Sequence, residues 1–122
     1  MLTLGPSVRV YAAIGPTDMR KSFTGLVAAV QQVIGKDPLS GHLFAFCNRR
    51  RNLLKVLVWD GSGFWVLAKR LERGTFAWPA SSTKEPHVVL GQDELSCILG
   101  GLDIGETSRR FWWRREPTLD AS

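Results

Sequence analysis

Hydrophobic positions recur with two different periods along this chain, and the change between them sets the order of elements. Residues 42–78 read HLFAFCNRRRNLLKVLVWDGSGFWVLAKRLERGTFAW, three apolar runs separated by two polar interruptions. Asp60-Gly61-Ser62-Gly63 lies between runs rich in Val, Leu and aromatic residues, the pattern of a β-hairpin. Cys47 to Asn52 carries three consecutive arginines and reads as the turn before it. The pattern predicts an antiparallel meander with strands at 42–47, 53–59 and 64–70, and with 75–78 as a short fourth strand. With 60–63 as the loop, Trp59 faces Phe64, Leu57 faces Val66 and Lys55 faces Ala68. One face then carries Leu54, Val56, Val58, Trp65, Leu67 and Lys69 and is expected to lie on the core. The other carries Lys55, Leu57, Trp59, Phe64, Val66 and Arg70, bases mixed with aromatics. A bulge at Gly61 or Gly63 would slip the register and exchange the faces on one strand.

Upstream, VRVYAAI at 8–14 reads as a first strand that Gly15-Pro16 ends. Apolar residues then fall at Met19, Phe23, Leu26, Val27, Val30, Val33 and Ile34, a helical stripe over 17–34 that should pack on the sheet. Thr17 is placed to cap this helix, Asp18 to favour its dipole and Gly35 to close it. Gly25 inside it costs ~1 kcal/mol relative to Ala and marks either close packing or a tolerated glycine. After Trp78, residues 79–86 read as a loop and His87 to Leu90 as a short strand. Gln92 to Leu102 form a second helical pattern with Leu95, Ile98, Leu99 and Leu102 as its stripe, which Gly100-Gly101 can cut short. The expected fold class is α+β. An antiparallel sheet of about four to six strands packs against the 17–34 helix, with a short C-terminal helix, in one domain over 1–106. A basic-aromatic tail follows at 107–122.

A chain of 122 residues is long enough to bury a real core. No run approaches the ~20 apolar residues of a membrane span, and the first ten residues lack the pattern of a signal peptide. The expected compartment is therefore the cytoplasm, where Cys47 and Cys97 stay reduced. The formal net charge is +5, and the segment from Arg49 to Arg73, with seven bases and two acids, carries a net +5 by itself. The basic character thus belongs to the meander, and it points to polyanions, nucleic acid before membrane.

Several side chains can be weighed as chemistry. Arg49, Arg50 and Arg51 in a turn, extended by Lys55, Lys69, Arg70 and Arg73, suit phosphate oxygens because guanidinium groups fork onto them and released counterions supply affinity. Against this stand a solvated loop and an acidic protein surface as partner. Trp59 and Phe64, with Trp65, suit a base-stacking platform, although aromatics at strand spacing more often pack a core. Asp18, Asp60 and Glu72 do not suggest a metal site, since paired-ion chemistry needs carboxylates converging within ~4 Å of the ions. Asp60 is better read as a turn former. His42 and His87 have no partner at metal-ligand spacing. No catalytic residue and no cofactor is expected. In the tail, Arg109 and Arg110 precede Phe111-Trp112-Trp113 and Arg114 and Arg115 follow, a composition that suits either docking to another subunit or folding back on the domain.

Five ordered segments carry a family resemblance. They are Pro16-Thr17-Asp18-Met19-Arg20-Lys21-Ser22-Phe23 with Gly25-Leu26, and Asp37-Pro38-Leu39-Ser40-Gly41-His42-Leu43-Phe44. Asn48-Arg49-Arg50-Arg51 follows, then Trp59-Asp60-Gly61-Ser62-Gly63-Phe64-Trp65. The last is Lys69-Arg70-Leu71-Glu72-Arg73-Gly74, with Phe76 and Trp78-Pro79 beyond it. Together they resemble the TnpB accessory proteins encoded by the second open reading frame of bacterial insertion sequences of family sixty-six, over residues 8–102. The resemblance implies a small protein, encoded beside a separate transposase and needed for efficient transposition. It implies no mechanism. Family members often end in a nearly pure arginine tail, whereas here Phe111-Trp112-Trp113 divides the arginines and 116–122 is not basic. The expectation is a non-catalytic accessory factor that binds element DNA through the basic meander. The alternative is an adapter that docks the transposase, with DNA contact incidental.

Overall fold

The computed structural model of the chain describes residues 5–80 and 84–100. Among the described residues five strands form one sheet: β1 (Val10–Ala13), β2 (Leu43–Cys47), β3 (Leu53–Trp59), β4 (Phe64–Arg70) and β5 (His87–Leu90), in the spatial order β4-β3-β2-β1-β5. Two helices accompany them among the described residues, α1 (Phe23–Ala29), continued by a wider π turn at Val30–Ile34, and α2 (Gln92–Leu99). This is an α+β fold. The β3–β4 register is the expected one, with Trp59 opposite Phe64, Leu57 opposite Val66 and Lys55 opposite Ala68. The sheet is not wholly antiparallel, however. β1 and β2 run parallel, because α1 crosses over between them and returns the chain in the same direction. The segment 75–78 is not a strand; it straps one end of the sheet, with Phe76 N–H donating to the Arg51 carbonyl at 2.6 Å and the Trp78 indole donating to the Ala13 carbonyl at 2.8 Å.

Both faces of the sheet are covered over its central strands, each by its own helix. Tyr11, Ala13, Phe44, Phe46 and Leu57 meet Leu26, Ala29, Val30 and Ile34 of the α1 layer. Val10, Ala12, Leu43, Ala45, Leu54, Val56 and Val58 meet Leu95 and Ile98 of α2, with Phe76 from the strap. β1 and β2 are therefore apolar at every position, as strands covered on two sides must be. Each fully buried Leu, Val or Phe contributes ~1.5–3 kcal/mol by leaving water.

Two expectations about faces are corrected. Leu54, Val56 and Val58 are buried, but Trp65 and Leu67 on the same face remain 46% and 48% exposed. α2 is only eight residues long, and the β4 side of its face lies open. Leu57 on the opposite face is completely buried instead, because α1 lies there. The 17–34 helix is also shorter than expected. Thr17 does not cap it; the helix starts at Phe23, and no side chain caps the Ser22 position. Leu26, Val30 and Ile34 form its buried row, while Phe23 and Val33 of the expected stripe are exposed. The Val30 carbonyl accepts the Gly35 N–H at 2.8 Å, and Gly35, at φ +73°, takes the left-handed conformation that closes the helix. α2 ends at Leu99 before Gly100, and the Glu94 carboxylate accepts the Gly91 N–H at its start, 2.9 Å. Leu102, the boundary at 106 and the tail 107–122 with its Arg109–Arg115 cluster lie outside the described residues.

Candidate nucleic-acid interface

The β2–β3 turn is built by asparagine and presented by arginine. Asn48 Oδ1 accepts the N–H groups of Asn52 (3.0 Å) and Leu53 (3.1 Å), and its Nδ2 donates to Asn52 Oδ1 at 2.7 Å. Arg51 N–H closes the turn onto the Asn48 carbonyl at 3.1 Å. These bonds hold Arg49 and Arg50 at the crown, where both side chains are exposed and neither has a hydrogen-bond or ionic partner among the described residues.

Arg51 does something else. It sits at φ +61°, the only non-glycine with positive φ among the described residues. Its guanidinium turns inward, donates from Nη2 to the Ile14 carbonyl at 3.0 Å and lies 6.0 Å from the centre of the Trp78 ring. The same cation stands beside the Cys47 thiol, whose pKa burial pushes up and Arg51 pulls back. Lys55 is likewise committed: its Nζ donates to the carbonyls of Met19 (2.9 Å) and Lys21 (3.0 Å). Lys69 lies on the opposite face and donates to the Leu99 carbonyl at the end of α2. Of the seven bases expected to form one patch, three therefore bind the protein's own carbonyls. Arg49, Arg50, Arg70 and Arg73 stay exposed. Arg70 stands opposite Leu53 in the strand register, beside the turn.

A shallow groove of about 490 Å³ runs between this turn and the β1–α1 connection, lined by Thr17, Asp18, Met19, Arg20, Asn48, Arg49, Arg50 and Leu53. Thr17 N–H donates to the Cys47 carbonyl at 2.8 Å and so ties the connection to the end of β2. Asp18 accepts the Arg20 guanidinium (2.7 Å at the shortest) and the Arg20 N–H (3.0 Å). These bonds hold the Asp18 carboxyl well below the usual carboxylate range. Arg20 was legible only as a residue off the helical stripe; nothing in the sequence brought it next to Arg49.

The aromatic pair lies elsewhere. Trp59 and Phe64 meet edge to face at 5.0 Å at the hairpin end of the sheet. Trp59 and Leu53 stand at opposite ends of the seven-residue β3, about 20 Å apart at ~3.3 Å per residue. Phe64 packs against the α1 layer. Asp60 closes the hairpin loop, as expected of a turn former. Its Oδ1 accepts the Ser62 and Gly63 N–H groups at 2.9 and 3.0 Å, and its Oδ2 accepts the Trp65 indole at 2.7 Å. The Ser62 N–H first, then the Trp65 indole and the Gly63 N–H, lower its pKa to about 2. Asp60 and Asp18 therefore serve separate turns. Among the described residues no helix is long and apolar enough to cross a membrane.

The chain is similar to the uncharacterized protein y4hO of Sinorhizobium fredii, at 44% identity over 103 residues, 84% of this chain and 88% of the relative. It is similar to a second protein of that organism, the uncharacterized protein y4jC, at 35% identity over 109 residues, 88% of this chain and 92% of the relative. No solved structure matches it. The family described as IS66 Orf2 like protein matches residues 8–109, a span that contains the whole described sheet, the arginine turn and both helices. The chain belongs to this IS66 Orf2-like family and is a transposition-associated accessory protein.

Proposed function

We propose that the protein is a non-catalytic, cytoplasmic factor that holds the DNA of its own insertion sequence by the phosphate backbone, from the arginine turn. The observation that carries this reading is the pair Arg49 and Arg50, exposed and unpartnered among the described residues at the crown of a braced turn. Free guanidinium groups at a fixed spacing suit phosphate oxygens, and Arg70 beside the turn extends the track. Neither described helix offers a basic face for the major groove: α1 has no charged residue, and α2 carries Asp93 and Glu94. Backbone contacts orient a protein without reading sequence, so its preference for the element's ends is weak. The tail arginines Arg109, Arg110, Arg114 and Arg115 belong to the same reading as a further basic segment, and Phe111-Trp112-Trp113 as a docking element for the transposase.

The test is binding to duplex and single-stranded DNA across a salt series, with fragments from the element's ends against scrambled fragments. Affinity is expected to fall steeply with salt. Arg49→Gln with Arg50→Gln should flatten the log–log salt slope by about 0.9 for each phosphate that the variant no longer neutralises. No binding at low salt would remove DNA as the ligand. The same arginines would then be assigned to an acidic surface of the transposase, read by co-purification of the double variant.

A further inference from the structure

We infer that β4 is a dimerisation edge, at which a second copy of this chain adds its own β4 antiparallel, in a register centred on Leu67. β4 is the outer strand of the sheet; among the described residues it pairs with β3 alone. It is seven residues long, contains no proline, and exposes Trp65 and Leu67. An edge strand of this length, with unpaired backbone groups and exposed apolar side chains, is a template for another strand.

The ladder decides which backbone groups are free. Asp60 N–H bonds the Gly63 carbonyl at one end of the hairpin, and Leu71 N–H bonds the Asn52 carbonyl at the other. Hydrogen-bonded pairs alternate between these two limits, so Trp65, Leu67 and Lys69 point their backbone groups inward to β3. Phe64, Val66, Ala68 and Arg70 point theirs outward.

A two-fold antiparallel partner must match outward residues with outward residues. Centring on Leu67 does this along the whole strand: Phe64 meets Arg70 of the second copy and Val66 meets its Ala68, each a hydrogen-bonded pair. The side chains agree with the backbone. β4 has two cations at its C-terminal end and no acid. The antiparallel arrangement keeps like charges apart and lays each cation over an aromatic ring, Lys69 opposite Trp65 and Arg70 opposite Phe64. Asp60, ionised and bonded to the Trp65 indole, adds a negative charge where the second copy's Lys69 arrives. Lys69 keeps its bond to the Leu99 carbonyl and still has two hydrogens to offer. At the centre the two Leu67 side chains face each other in a non-hydrogen-bonded pair, where Cα atoms stand ~4.5 Å apart. The chain's own tail suits this edge less well, since Arg109, Arg110, Arg114 and Arg115 would add cations beside Lys69 and Arg70.

Sedimentation equilibrium of the full chain, without DNA, should show a monomer–dimer equilibrium. Leu67→Lys and Leu67→Glu each place like charges face to face at the two-fold axis. Each should weaken dimerisation at least about tenfold, and an equimolar mixture of the two should restore it. Leu67 is half exposed, so both variants should fold as the parent does, checked by circular dichroism. Without reductant, Leu67→Cys should cross-link between copies, and Val66→Cys, which faces Ala68, should not. A monomer at all concentrations, a dimer indifferent to Leu67→Lys, or equal cross-linking at position 66 would each overturn the assignment.

Discussion

Arg51 holds a backbone conformation that an L side chain adopts at a cost of ~1–2 kcal/mol, and its guanidinium recovers that cost by joining the turn to β1 and the strap. The two effects can be separated by substitution. Arg51→Ala keeps the strain while removing the Ile14 bond and the Trp78 packing, an expected loss of about 2–3 kcal/mol. Arg51→Gly removes the same interactions but relieves the backbone, so it should be the milder change by about 1 kcal/mol. Urea unfolding of both variants measures the order. Equal losses would mean that the strain relieved is matched by the entropy glycine adds to the unfolded chain, and a larger loss for Gly would mean that this entropy outweighs it. The sequence could not distinguish Arg51 from Arg49 and Arg50. Three adjacent arginines look alike until the turn geometry points two of them outward and one inward.

The β3–β4 hairpin was the most legible element, because its loop contains its own instructions. Asp60 at the first loop position, followed by Gly61 at φ +104°, gathers its bonds from residues two, three and five positions on, and that fixes the register of seven residue pairs. These bonds also make the hairpin sensitive to acid. The Asp60 pKa is depressed from 3.8 to about 2 in the folded chain. Its contribution is therefore present above pH ~4 and lost as pH falls toward 2. The Trp65 indole reports the same interaction, so the fluorescence of the folded chain should change near pH 2 in the parent and not in Asp60→Asn. α1 was less legible for a related reason. Thr17-Asp18 looks like a helix start, but Asp18 spends its carboxylate on Arg20, and Lys55 from the sheet takes the carbonyls of Met19 and Lys21. That lysine comes from a strand more than thirty positions away, and no local pattern discloses it.

Which face of the sheet each residue serves was decided only at the level of the whole molecule. Alternation along β3 and β4 divided the side chains correctly into two sets, but two helices of unequal reach decided which set met water. The parallel pairing of β1 and β2 brings the β1–α1 connection beside the β2–β3 turn at one end of the sheet. The candidate interface is thus assembled from segments some 30 residues apart and held by Lys55 and Arg51 from within. This arrangement separates residues that touch DNA from residues that only build the site. Lys55→Met keeps the aliphatic stem and removes the ammonium, so the chain should fold with a loss of about 1–3 kcal/mol and a loosened 17–22 segment. Affinity for DNA should fall modestly, while the salt slope stays as in the parent, because the surface keeps all its free cations. Arg20, the cation that loosening would displace, is already paired with Asp18 and releases few counterions. A slope flattened by about 0.9 in Lys55→Met would instead place Lys55 on a phosphate. The site would then open on binding, since its ammonium has to leave the Met19 and Lys21 carbonyls to reach DNA.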